Sequence, residues 1–258
     1  MNARQLKLIA IVSMLFDHIG LTLNAIHRYN IEGAEMMNVM SDAYNSFRMI
    51  GRLSFPIFAF LIAEGCAHTH DIKAYRTRLF FFGLLSQIPY QAIVNLASGR
   101  PDLWHYSNAN VLLTFTLGVV AVECYKKLLQ NPHQTLLWSL GILGTFITAI
   151  VFQTEYSIVG IGLILGSYLL RPKTSLDLDK SIIGAKSLQV LVCGLMIVGY
   201  YQLYFSLFSP YTIGAIFAII TLGFYNGKPG KRRGKLGFYV FYPLHLTGLA
   251  FIMYQVMT

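Results

Sequence analysis

An aspartate and a histidine lie next to each other inside an otherwise apolar helix, in the segment LKLIAIVSMLFDHIG. A carboxylate and an imidazole are costly to bury in hydrocarbon, so Asp17 and His18 are candidate catalytic residues. The ordinary pKa of histidine, about 6.5, lets His18 accept a proton at neutral pH as a general base. No GxSxG elbow and no P-loop occurs in the chain, which favours base-assisted transfer over covalent serine catalysis.

Lys7 lies eleven residues before His18. On a helix this spacing returns to about the same face, roughly 16 Å away along the axis. A basic group at the mouth and a histidine at mid-depth suit a long ligand with an anionic head and a reactive end inside the bilayer.

Four further polar residues lie in apolar segments. Arg52 opens the second segment and Glu64 closes it. Tyr242 and His245 are three apart on the last segment and share a face. A lone histidine in an apolar helix is usually packed and hydrogen-bonded, but His245 lies at a depth similar to that of His18. If the first and last helices pack together, they enclose one polar site.

A basic cluster follows the second segment at Lys73, Arg76 and Arg78. It has two interpretations, either anchoring at the membrane surface or binding of an anionic head group, because guanidinium groups bind phosphates bidentately. The preceding His68-x-His70-Asp71 has metal-type side chains without a second ligand cluster, so we expect no metal. The three cysteines are scattered in apolar runs and indicate neither a disulfide framework nor a zinc site.

Composition defines the elements that must position these residues. Of 258 residues, 55% are hydrophobic and 12% are charged, whereas soluble domains have about 25% charged residues. The sequence therefore predicts an all-α, polytopic membrane helix bundle in a single domain, 1–258. The net charge of +9 comes from basic residues in short loops, so we expect no nucleic-acid partner. The N-terminus lacks the pattern of a cleavable signal peptide.

Apolar windows of transmembrane length predict about nine spans. They cover residues 6–26, 48–67, 75–97, 108–128, 135–153, 156–171, 186–208, 210–226 and 236–257. The stretch 27–47 is predicted as a polar connection. The fifth and sixth spans are short and joined by four residues, so eight spans remain an alternative.

The distribution of lysine and arginine predicts the orientation. Sixteen of the 20 fall in connections on one side, which leaves Arg28, Arg48, Arg52 and Arg100 on the other. By the positive-inside rule, the N-terminus is cytoplasmic and the C-terminus is outside a bacterial cytoplasmic membrane.

The chain resembles the TraX family, named for the acetylase of F-type conjugative pilin. The resemblance rests on LKLIAIVSMLFDHIG, on IGRLSFPIFAFLIAEG with HTHDIKAYRTRLFFFGLLSQIPY, on NANVLLTFTLGV and on FYNGKPGKRRGKLGFYVFYPLHL. These motifs span almost the whole chain in order. TraX proteins are in turn similar to acyltransferase-3 enzymes, whose basic residue, ten positions and histidine match Lys7 and His18, with lysine in place of the usual arginine.

The resemblance implies transfer of an acetyl group from cytoplasmic acetyl-CoA to an amine or hydroxyl acceptor, such as a pilin-like peptide or a glycan. His18, with Asp17, would supply the base. Lys7, Lys73, Arg76 and Arg78 would hold the CoA phosphates, and Arg52, Glu64, Tyr242 and His245 would shape the acceptor site or orient His18. Glu155 stands in TEYSIVG where the family leads us to expect an aspartate, and it is assigned no role.

Two other classes of function fit the same residues. A proton-coupled transporter could use Asp17, His18, Glu64 and His245 as a relay, although no internal repeat is visible. An assembly or scaffold protein would need none of them for catalysis. The oligomeric state and the length of the acyl group stay open.

Overall fold

The structure, a computed structural model, describes residues 1–30, 34–100, 105–171, 181–204, 206, 209–228, 230 and 235–257. Among these residues the regular elements are α-helices and one short 3-10 turn, without a strand, which confirms the predicted all-α fold. The helices are α1 (Ala3–Asn30), α2 (Ala34–Gly51), α3 (Ser54–His68), α4 (Ile72–Ala97), α5 (Val111–Gln130), α6 (Thr135–Val151), α7 (Ser157–Leu169), α8 (Ser181–Tyr204), α9 (Pro210–Gly223) and α10 (Lys235–Met257).

The connections gather at two opposite ends of the bundle. At one end the N-terminal ammonium donates to the carbonyl of Phe224 (2.6 Å), just after α9, and the Tyr225 hydroxyl donates to Glu64 in the last turns of α3 (3.2 Å). At the other end the N–H of Glu155, between α6 and α7, donates to the carbonyl of Ala109, just before α5 (2.8 Å). Successive helices therefore alternate in direction, and α2 and α3 together form one interrupted helical segment.

The break between α2 and α3 is the main departure from the predicted elements. The stretch 27–47 is not wholly a connection, because α2 begins at Ala34 and runs through the predicted start of the second span at residue 48. The helix is interrupted between Gly51 and Ser54. A β-carbon at Gly51 would overlap the Asp17 side chain, so this glycine allows α2 to approach α1 closely.

The predicted fifth and sixth spans are two separate helices, α6 and α7. The turn between them includes Gln153 (φ 46°) and Tyr156 (φ 60°), and α7 begins at Ser157 (φ 38°). Such left-handed values are uncommon for residues other than glycine. This turn reverses the chain directly beside the α2–α3 break.

Length and hydropathy support a membrane-embedded protein. Within the described ranges, five helical stretches are long and apolar enough to cross a membrane, and three shorter apolar helices accompany them. Large apolar side chains cover the outer face of α6, where Leu136 is 74% exposed. Such a face suits lipid better than water. The number of nine crossings stays a prediction.

The buried core lies where α1, α3, α4, α5 and α10 meet, and its fully buried side chains include Ile93, Val119 and Leu246. Several basic residues used for the predicted orientation, Lys173, Lys180, Lys231, Arg232 and Arg233, lie outside the described residues, as do the side chains of Arg28, Lys186 and Lys235.

Candidate functional site

A buried ion cluster joins α1 to the α2–α3 break. The Asp17 carboxylate accepts from Arg48 Nη1 at 2.7 Å and from Arg52 Nη2 at 2.5 Å. Charge-assisted bonds of this length are strong, and each arginine offsets the cost of burying the carboxylate. Each oxygen of Asp17 accepts from one arginine, so this residue joins α1 to the break, and no hydrogen bond between its carboxylate and the His18 ring is present in the described part of the chain.

A pair of histidines lies beside this cluster. His245 Nε2 on α10 is 2.9 Å from His18 Nδ1 on α1, and His245 Nδ1 is 2.8 Å from the carbonyl oxygen of Phe241. The first and last helices therefore pack together with His18 and His245 in hydrogen-bonding contact, the arrangement that the sequence analysis expected if these helices pack.

The partners of the two rings determine their neutral tautomers. A carbonyl oxygen can only accept, so His245 Nδ1 carries the hydrogen and His245 Nε2 presents its lone pair. His18 Nδ1 must then be the donor, which leaves His18 Nε2 without a hydrogen. No described residue hydrogen-bonds this nitrogen. His18 is 5% exposed and lines a cleft, so its basic nitrogen is the one available to a substrate.

Two clefts adjoin along α1. The larger encloses about 660 Å³, including space open to solvent, and has Lys7 and Phe238 among its lining residues. The smaller encloses about 330 Å³ and is lined by Asp17, His18 and Glu155. Four residues line both: Met14, Phe58, Val111 and Phe115. The two clefts therefore adjoin at these four residues, with Lys7 lining one and His18 the other.

The predicted phosphate ligands lie on the side of the larger cleft. Lys7 Nζ lies 4.7 Å from the centre of the Phe238 ring, a cation–π contact at the larger cleft. Arg78 is exposed and interacts with the hydroxyl of Tyr239, which lines the same cleft. Lys73 is exposed.

Arg76 differs from the other predicted phosphate ligands, because it donates to Glu123 Oε2 at 2.5 Å. Lys127 lies 3.3 Å from the other oxygen of the same carboxylate. A phosphate would therefore have to compete with a buried carboxylate for Arg76.

The structure does not bring Glu64 to His18. Its carboxylate accepts from Arg171 Nε at 3.0 Å and from the Tyr225 hydroxyl at 3.2 Å, near His68. Glu64 thus joins α3 to the ends of α7 and α9, and its predicted part in orienting His18 has no contact to support it. No group of metal-type ligands that could hold an ion is present in the described ranges.

The turn between α6 and α7 lines the smaller cleft with Glu155 and Tyr156. The Tyr156 ring stacks on Phe55 with centres 3.5 Å apart, and its hydroxyl accepts from Arg52 at 3.3 Å. Burial, reinforced by the Asp17 carboxylate, raises the pKa of Glu155 to about 7. Glu155 lines the smaller cleft together with His18, so a carboxyl group that changes charge near neutral pH faces the candidate base.

Sequence reasoning missed three contributors to this site. Arg48 enters the prediction only as one of the four basic residues on the outer side, although its spacing of four residues from Arg52 places both on one helical face. Glu155 and Tyr156 lie in a connection, and no sequence signal ties a turn to a distant histidine. A polar segment followed by GRLSFP marked the helix break only weakly.

Comparisons with known proteins point to one family. A family model described as TraX protein matches residues 2–253. The chain is similar to the probable fimbrial assembly protein FimC, serogroup H1, of Dichelobacter nodosus, with 26% identity over 250 residues that cover 95% of this chain and 93% of that protein. No solved structure matches the chain.

Proposed function

The chain belongs to the TraX family, and from that premise and the geometry of the site we propose that it is a membrane acetyltransferase. It transfers an acetyl group from acetyl-CoA to an amine or hydroxyl, with His18 as general base. The observation that carries the proposal is the pair of adjoining clefts, one lined by Lys7 and the other by a buried histidine whose free nitrogen is set by His245.

The larger cleft suits the donor. Acetyl-CoA has a phosphorylated nucleotide head, a long flexible arm and a small reactive end. Lys7 and Arg78 lie where the head would bind, and the apolar side chains of Met14, Phe58 and Phe115 line the way inward. Lys73 and Arg76 add positive charge at that end of the bundle, which favours an anionic donor. In this arrangement the thioester reaches the junction of the two clefts beside His18.

The smaller cleft suits the acceptor. His18 Nε2 removes the proton of the attacking amine or hydroxyl, and the proton on His18 Nδ1 shifts to His245 Nε2. The positive charge is thus shared by two rings, because the Asp17 carboxylate is already paired with Arg48 and Arg52. Glu155 faces the same space and contacts the acceptor, and Tyr242 packs edge-on against His18.

The identity of the acceptor is proposed from the similar protein and not from the shape of the cleft. The similar protein of Dichelobacter nodosus is a probable fimbrial assembly protein, so the proposed acceptor is a pilin-like peptide, with a glycan as the alternative. We further propose that the protein lies in the bacterial cytoplasmic membrane, with the Lys7 end in the cytoplasm where acetyl-CoA is made and the C-terminus outside.

The test is a thermal-shift titration of the detergent-purified protein with acetyl-CoA, CoA and ATP. A ligand that binds only the folded state raises the apparent melting temperature, whatever the acceptor is. We expect stabilisation by acetyl-CoA and by CoA but not by ATP. His18→Ala should keep that stabilisation, because His18 lines the smaller cleft, and should lose acetyl transfer to hydroxylamine, a small nucleophilic acceptor.

The opposite results separate the alternatives. Folded wild-type protein that saturating acetyl-CoA does not stabilise would overturn the proposal and favour the transporter, in which Asp17, His18, Glu64 and His245 carry protons. Transfer by His18→Ala at the wild-type rate would exclude His18 as the base.

A further inference from the structure

Glu155 differs from the other carboxylates in the interior of the described part of the chain, because no cation is paired with it there. The three others each accept a hydrogen bond from an arginine at 2.5–3.0 Å: Asp17 from Arg52, Glu64 from Arg171 and Glu123 from Arg76. Glu155 lines the smaller cleft instead. A carboxylate held away from water without a cation is unfavourable, so this one suits a positive group that a ligand brings.

The neighbouring arginines do not supply that positive group. Arg48 and Arg52 lie close enough to lower the pKa of Glu155, but both bind the Asp17 carboxylate. Burial outweighs their effect and raises the pKa of Glu155 to about 7. The carboxyl group can therefore take up a proton and release it near neutral pH, as a general base must do in each cycle.

The turn that carries Glu155 is fixed on several sides. The N–H of Glu155 donates to the carbonyl of Ala109 at 2.8 Å, and its carbonyl accepts from Thr114 Oγ1 at 2.6 Å. The N–H of Val111, at the first residue of α5, donates to the carboxyl group. Tyr156 follows with a φ of 60°, a strained value that persists only where the surrounding structure enforces it. These contacts hold the carboxyl group at the cleft.

The smaller cleft thus has two proton acceptors, the Glu155 carboxylate and the Nε2 atom of His18. A hydroxyl acceptor loses one proton during acetyl transfer. A primary amine carries a positive charge at neutral pH and loses two protons. The first must leave before the nitrogen lone pair can attack, and the second leaves after the new bond has formed. Two acceptors in one cleft match the amine.

We propose that Glu155 binds the ammonium group of a primary-amine acceptor and takes its first proton, while His18 takes the second. This inference rests on the proposed function. It makes Glu155 a catalytic residue, and it makes an amine, as opposed to a hydroxyl, the class of acceptor that the smaller cleft selects.

Atoms and charges balance in this transfer. One ammonium proton passes to the Glu155 carboxylate, and the neutral nitrogen bonds to the thioester carbon while the carbonyl π electrons move to the oxygen. The nitrogen then gives its second proton to His18 Nε2. When the carbonyl re-forms, the carbon–sulfur bond breaks, and the CoA thiolate takes the proton held by the histidine pair. Glu155 releases its proton to solvent, and the products are the acetylated amine, CoA and one proton.

The experiment compares two small acceptors with the same number of non-hydrogen atoms. Ethylamine is charged at neutral pH, whereas methoxyamine is uncharged and needs only the base His18. Release of the CoA thiol from acetyl-CoA gives kcat/KM for each acceptor. In Glu155→Gln, which keeps the size of the side chain, we expect kcat/KM for ethylamine to fall about 10²-fold more than that for methoxyamine, since both the ionic contact and the first base are lost.

The matched control lies in the same turn. Gln153 is exposed, and its φ of 46° is a left-handed value that asparagine also adopts. Gln153→Asn should therefore leave the ratio of the two kcat/KM values as in wild-type protein. Both acceptors are measured on one preparation of each variant, so a lower folded yield does not change the ratio.

The outcomes separate this inference from the proposed function. Equal losses for ethylamine and methoxyamine in Glu155→Gln would overturn the role of Glu155 and leave the acetyltransferase intact. Wild-type protein that acetylates methoxyamine but not ethylamine would overturn it as well, whether or not Glu155→Gln folds. Absence of acetyl-CoA binding in the thermal-shift titration would instead refute the proposed function, and this inference with it.

Discussion

Replacement of His245 tests the proton path most directly. His245→Ala removes both the acceptor of the His18 Nδ1 hydrogen and the second site for the proton. His245→Gln keeps an acceptor oxygen at about the position of Nε2 but cannot take up a proton. The two variants therefore separate orientation of His18 from sharing of its charge.

The structure gives the expected sizes of the two effects. A single hydrogen bond such as the one of 2.9 Å between the rings contributes about 0.5–1.5 kcal/mol net. Its loss alone lowers the population of the productive tautomer of His18 about 2- to 10-fold. General acid–base assistance is worth about 10²- to 10⁴-fold. We therefore expect kcat to fall about 10²-fold in His245→Gln and a further 2- to 10-fold in His245→Ala.

The assay follows release of the CoA thiol from acetyl-CoA with hydroxylamine as acceptor. The KM for acetyl-CoA should stay unchanged, because His245 is not among the residues that line the larger cleft. Thr247→Ala is the matched control on α10, since Thr247 bonds only to the carbonyl of Pro243 within its own helix. A kcat for His245→Gln within tenfold of wild type would refute the reasoning about proton sharing.

Three further predictions concern the scaffold and the orientation. Gly51→Ala should lower the free energy of unfolding by about 1–3 kcal/mol, because the new methyl group meets the Asp17 side chain, 2.6 Å from its Cγ. Thermal unfolding measures this loss against the control Gly144→Ala, whose new methyl group has no neighbour within 4 Å, and equal melting temperatures of the two variants would contradict the prediction. The pKa of Glu155 is raised from 4.5 to about 7, so ionisation of its carboxyl group opposes folding, and the wild-type protein should lose stability relative to Glu155→Gln as pH rises from 5 to 8. A difference in melting temperature between the two proteins that stays constant with pH would show that Glu155 ionises freely. A tag at the C-terminus should be reached by an impermeant reagent in intact cells, and protection until lysis would refute the nine-span orientation.

Much of the site could be predicted from the sequence because polar residues are rare in apolar segments. Asp17, His18 and His245 stand out for the same reason, namely that burying them in hydrocarbon needs compensation. The spacing between Lys7 and His18 also predicted a shared helical face, and in the structure the two residues line adjoining clefts. The roles of these residues in catalysis stay predictions.

Pairings between residues far apart in sequence could not be predicted. Glu64 looked available to orient His18, but Arg171 and Tyr225 occupy it. Asp17 looked like the partner of His18, but two arginines of the α2–α3 break take both of its oxygens. Each carboxylate binds the cation that the packing brings nearest, and composition does not carry that information.

The sequence by itself determined the class of the fold, since a chain with this hydrophobic content and so few charges can satisfy its backbone in lipid only as helices or a closed barrel, and its long apolar runs favour helices. Only the tertiary structure decided which ring nitrogen of His18 is free, because that depends on the Phe241 carbonyl acting through His245. It also decided that the start of α5 faces the same cleft, because helix packing and not sequence spacing sets the distance between Val111 and His18.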